Sequence, residues 1–110
     1  MSRLPSLRPL VVTIAGPTFA PDELAGRKVV ALFSRAEARD FADVFALLRR
    51  YPKPELLELA AENDAGFDQA VFAEMLRGVQ RHDDARLTAG GATADEVRST
   101  FLVWASELEG

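Results

Sequence analysis

The chain has 110 residues, of which 48% are hydrophobic and 27% charged. That balance supports one compact domain of ordinary size and excludes a disordered chain. It contains no cysteine, which excludes a disulfide framework, a thiolate zinc site and a cysteine nucleophile.

The formal net charge of −4 is unevenly spread. Residues 1–54 carry nine basic and five acidic side chains, whereas residues 55–110 carry four basic and twelve acidic ones. Two readings fit: an anionic ligand would meet the first half, or the halves attract each other. Residues 1–9 are punctuated by proline and arginine and read as extended. Leu10 to Ala15 is rich in β-branched residues and stops at Gly16-Pro17, which predicts a short strand. A lone strand needs a partner: another short strand, a second copy of the chain, or a further domain. The same run is too short for the apolar core of a signal peptide, and Pro5, Pro9 and Pro17 interrupt the segment, so a cytoplasmic address is expected. No apolar stretch approaches the ~18 residues that a membrane span needs.

From Pro21 onward the pattern is helical. Pro21 suits a first helical position, and Asp22 and Glu23 suit the first turn, so a first helix is predicted to about Phe33. Leu24, Val29, Leu32 and Phe33 make its apolar face. Ser34-Arg35-Ala36-Glu37 has the form of a capping box and predicts a fresh helix, or a kink, at Ser34. The second helix then runs from Arg35 to about Arg50 on a stripe of Ala38, Phe41, Ala42, Phe45 and Leu48, and Pro52 ends it. A third helix starts near Pro54 and reaches about Asn63. Asp64-Ala65-Gly66 is a turn, and Asp68 caps a fourth helix, with Phe67 and Phe72 at the two positions of a hydrophobic staple. Residues 82–92 read as a loop. Thr93-Ala94-Asp95-Glu96 is a second capping box, opening a fifth helix with Val97, Phe101, Trp104, Ala105 and Leu108 on one face. The expected fold is therefore mainly α: one domain over residues 1–110, about five helices in a bundle with a short N-terminal strand.

The densest polar cluster is Lys28, Arg35, Arg39, Asp40 and Asp43. In a continuous second helix Arg35, Arg39 and Asp43 are four apart and share the face opposite Phe41 and Phe45. Such a group suits a polyphosphate and its metal, or the orientation of a nucleophile. Spacing alone favours the plainer reading of solvated helix salt bridges. His82, the sole histidine, has no partner for a triad or metal site and reads as a solvated loop residue. Trp104 and the seven phenylalanines fall at core spacing. No Walker A, Gly-x-Ser-x-Gly or zinc spacing occurs.

Lys28-x-x-Ala31-Leu32-x-x-Arg35, followed by Arg39-Asp40-Phe41-x-Asp43, resembles the C-terminal motifs of the AbiEii/AbiGii nucleotidyltransferase toxin family. Leu59 to Asp68 and Trp104-Ala105-x-x-Leu108 are similar to the tails of those proteins. The resemblance implies transfer of a nucleotide to an acceptor such as tRNA, with some members acting as abortive-infection toxins beside an antitoxin. It implies that Lys28 steadies the triphosphate and that Asp43, or else Asp40, activates the acceptor hydroxyl. Arg35 and Arg39 would then support the phosphate rim or hold that carboxylate. The family's N-terminal half carries a Gly-Ser motif and a metal-binding aspartate, whereas this chain has no Gly-Ser dipeptide and no acid before Asp22. The implied protein is the C-terminal part of a truncated or split enzyme, inactive alone, with Mg and a nucleoside triphosphate used only beside a catalytic partner chain. The alternative is a non-enzymatic helical interaction module, homodimeric through its strand. Nucleic-acid binding by the chain alone is disfavoured by its acidic balance.

Overall fold

The computed structural model describes residues 21–88 and 91–110, and the strand expected over Leu10–Ala15 lies outside them. Among the described residues six α-helices follow one another: α1 (Pro21–Ser34), α2 (Ala38–Leu47), α3 (Lys53–Asn63), α4 (Gln69–Arg77), α5 (Asp84–Leu87) and α6 (Ala94–Glu109). A 3₁₀ turn, Gly78–Arg81, continues α4. No strand element forms among the described residues, and no described helix is long and apolar enough to cross a membrane.

Helix α1 opens on Pro21 with Asp22 and Glu23 in its first turn, where the missing proline donor costs nothing and the acids meet the positive end of the helix. Its buried face is Ala25, Gly26, Val29 and Leu32, so Ala25 takes the place expected for Leu24, which is exposed. The break between α1 and α2 falls later than Ser34. The Ser34 hydroxyl turns back to the Val30 carbonyl at 2.9 Å, a local bond that ends a helix rather than starting one. Ala36 then takes a left-handed backbone (φ 52°), and Glu37, not Ser34, is the cap residue of α2. Arg35 therefore lies in the elbow and not on α2. At the far end α2 stops at Leu47, before the expected Arg50, because Arg50 and Tyr51 donate to the Leu47 carbonyl in a closing turn.

Helix α3 carries Pro54 in its first turn. Asp64 accepts from Gly66 N–H at 2.9 Å, turning the chain, and Asp68 caps α4 through Ala70 and Val71 N–H at 2.8 and 3.1 Å. The Phe67–Phe72 staple forms with ring centroids 5.2 Å apart. The expected loop over residues 82–92 contains α5, a single turn too short to show periodicity, which buries Leu87 completely. The capping box of α6 forms in both directions, Thr93 N–H to Glu96 at 2.8 Å and Glu96 N–H to Thr93 at 3.1 Å.

One chain of rings runs through the core: Phe33–Phe67–Phe72–Trp104–Phe101–Phe41–His82, with successive centroids 5.0 to 6.3 Å apart. These edge and offset contacts join α1, α4, α6, α2 and the end of the 3₁₀ turn before α5. Helices α1 and α3 pack most closely at Gly26, where an added Cβ would stand 2.6 Å from the Leu59 carbonyl oxygen and 2.3 Å from Asn63 Nδ2. A backbone atom cannot swing aside, so the helices would have to part. Gly26→Ala is expected to lower stability by about 1–3 kcal/mol, despite alanine's better helix propensity, as measured by denaturant unfolding.

Candidate functional site

The elbow of residues 35–37 reverses the chain so that α1 and α2 pack side by side. Lys28 and Asp43 each immediately precede a fully buried valine, Val29 and Val44, and so stand at the rim of the seam between these helices. Lys28 Nζ donates to Asp43 Oδ2 at 3.1 Å across 15 residues of sequence. Both side chains are a little over one-third exposed, at 36% and 38%. This contact joins a cation and a carboxylate that water and ligand can still approach.

Arg35 and Asp40 form a second, inner pair. The guanidinium meets the carboxylate through two parallel bonds of 2.8 Å each, and Asp40 Oδ2 also accepts from Glu37 N–H at 2.9 Å. The Asp40 side chain is only 2% exposed. Burial on its own would raise the Asp40 pKa. The Arg35 bonds, the Glu37 N–H and the Arg35 and Arg39 charges outweigh it, and the carboxyl is held below its ordinary value. Arg35 is raised in turn, first by its hydrogen bond to Asp40 and then by that carboxylate's charge. Asp40 is thereby an ionised, fully engaged group whose work is to tie the elbow to the first turn of α2.

The five residues singled out in the sequence thus divide. Lys28 with Asp43 forms the outer pair, and Arg35 with Asp40 the inner one. Arg39 is exposed on a groove lined by Glu37, Ala38, His82 and Arg86. The single face of Arg35, Arg39 and Asp43 does not form, because Arg35 lies before the helix.

Other polar residues have contacts that sequence reasoning missed. His82 is half-buried, with Nε2 2.9 Å from the Ala36 carbonyl oxygen and its ring edge-on to Phe41. Arg98 donates to the His82 carbonyl at 2.7 Å and pairs with Asp84 at 2.6 Å, fastening α5 to α6. Tyr51 donates to Asp22 at 2.9 Å. These contacts link residues 14 to 46 positions apart, a separation at which helical periodicity carries no signal.

Among the described residues no three acidic or histidine side chains converge as a metal would require. Residues 1–20 contain no acid at all. Asp43 alone is too small a donor set for a catalytic Mg²⁺.

A family model described as "Nucleotidyl transferase AbiEii toxin, Type IV TA system" matches residues 5–100. No curated protein and no solved structure matches the chain.

The two pairs are expected to respond differently to mutation. Arg35→Ala should cost on the order of 1–3 kcal/mol, since it leaves Asp40 buried with one donor, whereas Lys28→Ala should cost less than about 1 kcal/mol. The folded Asp40 carboxyl holds its proton less tightly than the unfolded one. Its contribution is therefore complete above the ordinary carboxylate value of ~3.9 and is lost as pH falls through the lower folded value. Unfolding free energies of the natural protein and Asp40→Asn, measured by urea titration from pH 7 downward, should converge below that point. A gap unchanged at low pH would contradict the assignment.

Proposed function

The chain belongs to the AbiEii nucleotidyl transferase toxin family, and from that premise we propose that Lys28 and Asp43 form its nucleotide-transfer face. The observation that carries this reading is the part-exposed Lys28–Asp43 contact bridging α1 and α2. Lys28 meets the phosphates of a nucleoside triphosphate. Asp43 accepts the proton of the acceptor hydroxyl as that oxygen attacks phosphorus and pyrophosphate leaves. The chemistry asks the protein mainly for positioning and charge neutralisation.

The contact also indicates how the face is loaded. An ion pair this exposed contributes little, so an arriving triphosphate can take Lys28 and leave the Asp43 carboxylate free to act as base. Asp43 suits the base role and Asp40 does not, because Asp40 has both oxygens engaged and almost no exposure. Arg35 and Asp40 act as positioning residues that hold the elbow. Arg39, in the first turn of α2, adds positive charge at the rim.

The metal-holding carboxylates come from outside these 110 residues, in a catalytic partner segment or chain, and without them the domain binds but does not turn over. A type IV toxin–antitoxin setting adds a separate antitoxin as a partner and a cytoplasmic address.

Thermal unfolding with each nucleoside triphosphate tests this reading. A ligand at a hundred times its dissociation constant adds about 2.7 kcal/mol to the folded state, a melting shift of many degrees for a domain of this size. The shift should disappear in Lys28→Ala with the unliganded melting temperature nearly unchanged. Asp43→Asn should keep the shift but fail to restore transfer when the metal-bearing part is supplied. No shift with any triphosphate would sink the assignment.

A further inference from the structure

We propose that a nucleotide lies along the seam between α1 and α2 in one orientation, its phosphates toward the elbow and its nucleoside against an apolar shelf of Leu24 and Leu47. The inference rests on the nucleotide-face reading above and concerns the end of the ligand that Lys28 does not touch.

The elbow turns α2 back along α1, and the Lys28–Asp43 contact fixes which turns of the two helices stand abreast. One turn toward the elbow, four residues before Asp43, is the exposed Arg39. One turn in the other direction are Leu24, four residues before Lys28, and Leu47, four residues after Asp43. The chain stays close to α1 beyond that point. Tyr51, four residues after Leu47, donates its hydroxyl to Asp22 and its N–H to the Leu47 carbonyl, each at 2.9 Å. Leu24 and Leu47 therefore fall between two contacts that cross the seam, Lys28–Asp43 on one side and Asp22–Tyr51 on the other. Leu47 is part-buried against the core, whereas Leu24 is 44% exposed.

The packing of α1 makes no use of Leu24, since its buried face is Ala25, Gly26, Val29 and Leu32. An exposed leucine alone is ordinary; this one stands a single turn, about 6 Å along the helix axis, from the lysine assigned to the phosphates. The seam thus has two ends of unlike chemistry, cationic at Arg39 and apolar at Leu24. A nucleoside triphosphate has the same two ends, a polyanion and a flat, largely apolar base joined through one sugar. The leucines have no hydrogen-bonding side chain, and the Tyr51 hydroxyl already donates to Asp22. The shelf therefore meets a base by its face and does not read its edge, which makes the ligand class any nucleoside triphosphate without preference among the four bases.

The test is a titration of the ¹⁵N-labelled full chain with each of the four nucleoside triphosphates and, in the same buffer, with inorganic tripolyphosphate. Each nucleoside triphosphate should bind more tightly than tripolyphosphate and shift the amides of Leu24 and Leu47, which tripolyphosphate leaves in place. Leu24→Ala should weaken all four alike by roughly fivefold, the loss of part of a leucine's burial, and leave tripolyphosphate binding unchanged. Leu24→Phe should keep the tighter binding, and Lys28→Ala should weaken both kinds of ligand. If tripolyphosphate binds through Lys28 as tightly as the nucleoside triphosphates, or if Leu24→Ala weakens neither or both, the orientation is overturned while the nucleotide face stands. A marked preference for one base overturns the shelf as described. If neither tripolyphosphate nor any nucleoside triphosphate binds, the nucleotide face itself fails and the orientation falls with it.

Discussion

A carboxylate taken out of water must recover as hydrogen bonds what hydration supplied, and Asp40 recovers three: two from Arg35 and one from Glu37 N–H. That requirement shapes the rest of the site. The three bonds converge only if Arg35 leaves α1, Ala36 turns left-handed and Glu37 re-enters as a cap. A left-handed alanine carries a cost on the order of 1 kcal/mol, which the fork of two parallel bonds offsets. Once the elbow closes in this way, α2 is set in angle and register against α1. The Lys28–Asp43 contact follows from that register, as does the placement of Arg39 beside the groove.

The elbow is also held from its far side. The Ala36 carbonyl faces His82, and His82 is the last ring in the aromatic series that starts at Phe33. Arg98 grips the His82 carbonyl and Asp84 together. The polar knot at the elbow and the apolar core are thus two ends of one continuous set of contacts, and the part-exposed Lys28–Asp43 pair lies on the two helices that the elbow joins.

Local chemistry made much of this legible beforehand. Asp68 with its Phe67–Phe72 staple, and Thr93 with Glu96, are signals confined to four or five residues, and they appear as read. The stripe of α6 likewise follows from periodicity alone. Ser34 misled because a hydroxyl three residues before a glutamate has the same form whether it opens a helix or ends one. The choice was decided by Arg35 and Asp40, whose bonding only the folded elbow reveals. Helix α5 escaped for a related reason: one turn has no period, and Leu87 gains its burial from partners distant in sequence. In the candidate site, the family resemblance singled out Lys28, Asp40 and Asp43 alike. The contrast between a buried Asp40 and a part-exposed Asp43 depends on packing, which sequence does not supply.

The place of Trp104 has a spectroscopic consequence. It is the single indole of the chain, 1% exposed, edge-on to Phe72 at 5.3 Å and stacked on Phe101 at 6.3 Å. Through Phe72 it touches the arm of the core that runs to α1, and through Phe101 the arm that reaches Phe41 and the elbow. A loosening of either arm alters the packing and polarity around the same chromophore. The molecule therefore carries a native optical reporter at the junction of its two halves, with no competing indole to obscure it.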